Sequence, residues 1–249
     1  SYFGLSKKDG NVFGENQMRK YTKAFGSLRL VALGLVIGVL ASPMLFAQEA
    51  AVNDGEDSTV QIDKDVPAKT KKQIEDTLNL MKTIKGAHAS AYHKQVFGQT
   101  EGESYLDFLS QRVTLLKYKK ANDKERKEGV LAFAESDHSV TLTSVFTKKA
   151  SMPMVGRIST ILHEARHCET PNSTSWPHVF CPDEDPTKDY PGCDETILGA
   201  YGVEVIFLKN LKKNCESCGD KVKRDAEIYG DAYEGQIIDA SVKDAASAK

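Results

Sequence analysis

Cysteine is missing from this 249-residue chain until Cys168. None follows the apolar run at residues 30–47, which excludes a lipid-modified cysteine as the anchor there. Internal repeats and low-complexity tracts are also absent, so the chain is not a repeat array. An excess of one charge is lacking too: 33 Lys and Arg stand against 35 Asp and Glu. Residues 1–47 hold six of those basic and two of those acidic side chains, which leaves a net charge of about −6 on the rest. That balance argues against nucleic acid or an anionic membrane surface as the main partner. With 40% hydrophobic and 27% charged residues, the composition is that of one folded globular domain.

Arg19, Lys20, Lys23 and Arg29 precede "LVALGLVIGVLASPMLFA", Leu30 to Ala47, which carries no charge. A basic segment, an apolar run and a small-residue end at Leu-Phe-Ala form the pattern of a secretory signal peptide over 18–47, cleaved after Ala47. The alternative is an uncleaved membrane anchor, since about 18 apolar residues is near the lower limit for spanning a bilayer. Residues 1–17 precede Met18 and read as a start-site artefact or extension. Residues 48–70 are polar and acidic without periodicity, a flexible lead to a domain at 71–249. The expected location is the periplasm or the exterior of a bacterium.

Export would make disulfides the default for the five cysteines. Cys181 and Cys193 bracket the turn-rich "PDEDPTKDYPG", Cys215-x-x-Cys218 can close on itself, and Cys168 is left over. A structural zinc on the cysteines is the rival, but the paired C-x-x-C…C-x-x-C form is missing.

Ile74, Leu78, Met81 and Ile84 recur at helical spacing, predicting an amphipathic helix from Lys71 to about Val96. His88 and His93 are five residues apart and read as ordinary surface or packing histidines. "SYLDFLSQRVTLLKYKK" suits a helix in its first half and a strand in its second. "GVLAFAE" and "HSVTLTSVFTK" read as strands separated by a Ser136-Asp137 turn, with His138 at its edge. A helix is predicted from about Pro153 to His167, with Ser151 as N-cap and Pro153 in the first turn. Val155, Ile158, Leu162 and Ala165 form its core stripe, whereas Thr160, His163 and His167 form another.

The second stripe carries "HEARH", residues 163–167. Histidines at i and i+4 point the same way from a helix, which suits two imidazole ligands of one zinc ion. The glutamate beside the first is rotated by about 100° and reaches the metal-bound water rather than the metal. Zinc lowers the pKa of that water, and the carboxylate takes its proton as it attacks a carbonyl. His163 and His167 are thus expected ligands and Glu164 the general base. A catalytic zinc needs a third protein ligand, for which the sequence offers three choices. His178 follows a turn-like "TPNSTS", Asp194 adjoins Cys193 and is expected to open the next helix, and Glu204 is a carboxylate amid an apolar stripe that wants a partner.

These residues resemble the zincin metallopeptidases, the H-E-x-x-H class, and more loosely the aspzincin or deuterolysin group. The similarity covers about residues 138–235: "SVTLTSVFTKKASMPMVGRISTILHEARH", then "CDETILGAYGVEVIFLKNL" with its Tyr-Gly pair, then "RDAEIYGDAYEGQI". The resemblance implies that His163, His167 and Asp194 are metal ligands, that Glu164 is the catalytic carboxylate, and that Tyr201 donates a hydrogen bond to the developing oxyanion. The spacing from Asp194 to Tyr201-Gly202 is longer than in that group, and the insert with His178, Cys181 and Cys193 is foreign to it.

The expected molecule is an α+β protein with a small antiparallel sheet packed on a metal-binding helix and a second, C-terminal helix. Its expected activity is Zn2+-dependent hydrolysis of peptide bonds in a peptide or protein substrate, with no nucleic acid and with membrane contact only if the signal segment stays uncleaved. Alternatives are a non-catalytic metal-binding envelope protein and a zinc amidase acting on cell-wall peptides. Arg166 is expected to be a scaffold or salt-bridge residue.

Overall fold

The computed structural model describes residues 60–148, 152–169, 175–182 and 191–239. Residues 1–17, the expected signal segment at 18–47 and Ser151 lie outside them.

The helix expected over 71–96 forms as two. Helix α1, Ala68–Lys82, buries Ile74 and Met81 and closes where the Thr83 N–H bonds back to the Leu80 and Met81 carbonyls. Beyond it the chain passes Gly86, where an added Cβ would lie 2.9 Å from Thr100 Cβ. Thr100 Oγ1 donates to the Gly86 carbonyl at 2.7 Å, and only glycine permits so close an approach. Ser90 then starts helix α2, Ala91–Phe97, its side chain accepting the His93 N–H. Local cap chemistry thus interrupts an apolar spacing that looks continuous.

Helix α3, Gly102–Ser110, and strand β2, Leu115–Lys119, divide the ambiguous stretch as its mixed pattern predicts. Helix α4, Asp123–Glu128, is held by a capping box of Asn122 and Glu125. Strands β3, Ala132–Ala134, and β4, Ser139–Thr143, pair as a hairpin around Ser136-Asp137.

The lead expected to be flexible up to residue 70 enters the sheet at its end, where Gln61–Ile62 forms strand β1 beside Leu115–Leu116. Strand order is β1-β2-β4-β3. The sheet is mixed, not antiparallel as expected: β1–β2 and β2–β4 run parallel and only β3–β4 runs antiparallel. All five residues of β4 are buried. A strand covered on both faces loses the in-out alternation that marks an antiparallel surface strand, so the direction could not be read from its pattern.

Helix α5, Met154–His167, is the centre of the fold. Every residue from Val155 to His167 is buried, so the histidine stripe is as enclosed as the apolar one and does not face solvent. Pro153, not Ser151, precedes the first turn. Helix α6, Ala200–Asn214, and helix α7, Asp220–Glu234, pack on each other and on α5, whose other sides meet α1, α3, β3 and β4. Among the described residues, two helices rather than one therefore follow α5. Ile161 and Leu162 are fully buried, each worth about 1.5–3 kcal/mol of transfer from water. The architecture is α+β in outline.

Strands β5, Val179–Phe180, and β6, Pro191–Cys193, form a separate antiparallel pair. Cys181–Cys193 and Cys215–Cys218 are disulfides and Cys168 is a buried free thiol. Such bonds persist in an oxidising, exported environment. Among the described residues no helix is long and apolar enough to cross a membrane.

Candidate metal centre

His163 and His167 lie one turn apart on α5, with their Nε2 atoms 3.3 Å from each other. His178, the residue before β5, brings its own Nε2 to 3.2 Å from both. The three form a group that could hold a metal ion.

Each ring is fixed from behind through Nδ1. His167 Nδ1 lies 3.0 Å from the Ser175 main-chain oxygen, which can only accept, so the hydrogen sits on Nδ1 and Nε2 is left as a bare lone pair. His178 Nδ1 faces Asp194 Oδ1 at 2.9 Å, and His163 Nδ1 faces Glu204 Oε2 at 3.0 Å. With ionised carboxylates behind His163 and His178, those two Nδ1–H groups would also donate outward, and three Nε2 lone pairs would converge on one point. Lone pairs at that separation repel unless a cation lies between them.

The spacing tests which cation fits. Tetrahedral corners about 2.0–2.1 Å from zinc are about 3.3–3.4 Å apart. The observed 3.2–3.3 Å edges match that triangle. Three imidazole nitrogens are also a donor set that zinc accepts, although it suits copper, nickel and iron as well.

The electrostatics point the same way. Burial lowers the His163 imidazole well below its ordinary value, and the neighbouring His167 and His178 add to this. Burial likewise lowers His167, so both rings lean toward the neutral form that a metal ligand requires. The Glu204 carboxyl is pushed well above the carboxylate range by burial first and then by the charges of Glu164 and Asp194, with the Ser159 hydroxyl opposing. A divalent ion among the imidazoles would relieve that burden.

The structure thus sorts the three proposed third ligands. His178 joins the pair. Asp194, expected as a ligand, does not: its Oδ1 holds His178, and its Oδ2 accepts the Gly202 N–H at 3.1 Å. Nor does it open helix α6, which begins at Ala200. Glu204 finds the partner its position demanded, in His163 and in Ser159 Oγ at 3.1 Å.

Glu164 is 1% exposed on α5 beside the histidines. The Tyr201 ring packs 4.7 Å, centroid to centroid, from both His163 and His178. Arg166 is part of the scaffold as expected. Its Nε donates to the Leu198 carbonyl at 2.9 Å, its Nη1 donates to Glu169 at 2.7 Å, and its guanidinium lies 4.2 Å from the Trp176 ring centre. Trp176 Nε1 also donates to Glu169, and the Ser175 N–H donates to the His167 carbonyl at 2.7 Å. These contacts clamp the chain before His178 onto the end of α5.

Ser175 and Ser159 were missed by the sequence reading. Ser175 contributes a main-chain oxygen, which leaves no mark in a sequence. Ser159 lies four residues before His163, a spacing that places it on the same helix face and was the available signal. Comparison with known protein families, with curated proteins and with solved structures returns no match for this chain.

Proposed function

We propose that this protein is an exported zinc-dependent hydrolase of the H-E-x-x-H kind that cleaves peptide bonds in a peptide or protein substrate. The convergence of three Nε2 lone pairs at zinc spacing, on a helix that places Glu164 directly beside the first ligand, carries the reading. His163, His167 and His178 would hold the ion. Bound there, zinc would lower the pKa of water and polarise a carbonyl.

The chain's own groups would do the rest. Glu164 takes the proton of the attacking water and passes it to the leaving amine. Glu204, Asp194 and the Ser175 carbonyl hold the imidazoles in one tautomer and increase their basicity. Burial, and then the negative charges of Glu204, Asp194 and Glu164, push the Tyr201 phenol well above its ordinary value. It therefore remains a proton donor suited to a developing oxyanion. The two disulfides and the apolar segment at 30–47 support export.

The test is zinc content by elemental analysis beside hydrolysis of an unfolded protein substrate, for wild type and Glu164→Gln. One equivalent of zinc in both, with cleavage lost at least a hundredfold in the variant, is the expected result. Zinc in both with cleavage in neither would replace the peptidase by a metal-binding envelope protein or by an amidase of cell-wall peptides. A folded, oxidised wild type that takes up no zinc would end the reading.

A further inference from the structure

The third histidine stands on a different footing from the first two. His163 and His167 are built into a buried helix, whereas His178 lies in a short irregular segment between two anchors. On its N-terminal side, Ser175 and Trp176 are fastened to the end of α5. On its C-terminal side, β5 offers only two residues of pairing to β6, with a register irregularity between them. A two-stranded pair of that length is not stable alone. Cys181, at the end of β5, is bonded to Cys193, at the end of β6, with Cα atoms 5.1 Å apart. Cys193 is followed at once by Asp194, whose carboxylate holds His178 Nδ1. The bridge therefore ties the ligand's strand to the strand that presents the ligand's own orienting carboxylate.

Both sulfurs are enclosed, with Cys181 6% and Cys193 1% exposed, and each lies 4.0 Å from Gln236 Oε1. Cys215–Cys218 lies elsewhere, closing the turn between α6 and α7 against the segment around Gly86. The chain thus carries one disulfide at the site and one that serves as an internal control.

We infer that Cys181 and Cys193 are positioning residues for the metal site, and that their bond sets its affinity by holding His178 against Asp194. This rests on the metal-site reading above. Reduction by a dithiol transfers two electrons and two protons to the bridge, giving two protein thiols and an oxidised cyclic dithiol. The β5–β6 pair then loses its staple and the His178–Asp194 hydrogen bond its fixed geometry. Loss of an orienting partner lowers metal affinity about ten- to a hundredfold. Linkage makes the effect reciprocal, so bound zinc must protect this disulfide from reduction by the same factor.

Zinc affinity is measured on the full-length oxidised protein by competition with a chelator, with cobalt absorption as a second readout. The Cys181→Ser/Cys193→Ser variant is expected to bind zinc ten- to a hundredfold more weakly, and serine removes the complication that free thiols bind zinc themselves. Cys215→Ser/Cys218→Ser should bind as wild type does. In a His178→Ala background, the Cys181→Ser/Cys193→Ser pair should produce no further loss, because the ligand through which it acts is gone. A folded pair variant within twofold of wild type overturns the inference while leaving the metal site intact. Wild type that binds no zinc overturns the site and the inference together. Where the pair variant does not fold, the wild type supplies the answer. At equilibrium in a redox buffer, bound zinc should raise at least tenfold the ratio of reduced to oxidised dithiol that half-reduces Cys181–Cys193 and leave that for Cys215–Cys218 unchanged, and an unmoved ratio with zinc bound overturns the coupling.

Discussion

Glu164 and Glu204 are both buried carboxylates beside His163, yet they stand in different relations to it. Glu204 holds the ring through Nδ1, and Glu164 is the next residue along the helix. Glu204→Gln replaces a charged acceptor by a neutral amide of the same shape. Zinc affinity is expected to fall about ten- to a hundredfold, as it does when the carboxylate behind a ligating histidine is removed. Glu164→Gln should leave affinity within a few-fold and remove turnover. Titration of both variants against a competing chelator separates the roles, and equal losses of affinity would mean that Glu164 helps to hold the ion. This difference was half legible in the sequence. The spacing of His163, Glu164 and His167 follows from helix geometry, which operates over four residues. Glu204 meets His163 across 41 positions, and His178 meets Asp194 across 16. Such pairings are made by tertiary folding, so the sequence could name these residues as needing partners without assigning them.

The start of helix α6 joins the site to the fold. Its N-cap, Gly199, has no side chain to satisfy the first N–H groups, and Asp194 does so from five residues earlier by accepting the Gly202 N–H. Asp194→Ala should therefore do two things at once: weaken metal binding through His178, and destabilise the zinc-free protein by about 1–2 kcal/mol through the lost cap. Denaturant unfolding with chelator present measures the second effect alone, and unchanged stability there would refute the capping role. Gly202 is a sharper case, because an added Cβ would sit 1.7 Å from the Ile197 carbonyl oxygen. Backbone cannot give way as a flexible side chain can, so Gly202→Ala is expected to cost about 3 kcal/mol or more. A variant with wild-type unfolding midpoint would contradict that contact. The elements themselves were unequally legible. Helix α5 and the β3–β4 hairpin follow from periodicity and a turn signal within the segment. The break between α1 and α2 depends on Gly86 meeting Thr100, and the parallel pairing of β2 with β4 depends on cover on both faces. Neither is a property of the local pattern.

Across the whole molecule, buried histidines and buried carboxylates pull stability in opposite directions with pH. His93, on helix α2 and outside the three-histidine group, is fully buried against Tyr105, with Nε2 2.8 Å from the phenol oxygen, and burial lowers its pKa to about 4 from an ordinary 6.5. Below pH 6.5 the unfolded chain binds a proton there that the folded protein refuses, so stability is full above that value and falls as the pH drops toward 4. Between pH 6.5 and 5 the loss amounts to about 2 kcal/mol for such a group. Glu204 has the opposite sign: its raised folded value means stability that is present at low pH and is lost as the pH rises through that value. The zinc-free protein is therefore squeezed from both sides, and total stability against pH does not reveal either group. The difference between wild type and His93→Gln does. With chelator present, the variant should lose about 2 kcal/mol less than wild type between pH 7.5 and 5 in denaturant unfolding, and equal losses would show that His93 is not the group being protonated. On the proposed reading zinc would act on the other arm, since a cation beside Glu204 favours its ionised form and binding to the folded state alone adds stability. At zinc a thousandfold above its dissociation constant the gain is about 4 kcal/mol. Chelation at pH 7.5 should consequently lower the melting temperature of wild type by several degrees, and of His178→Ala by much less; equal shifts would place the ion somewhere other than the three imidazoles.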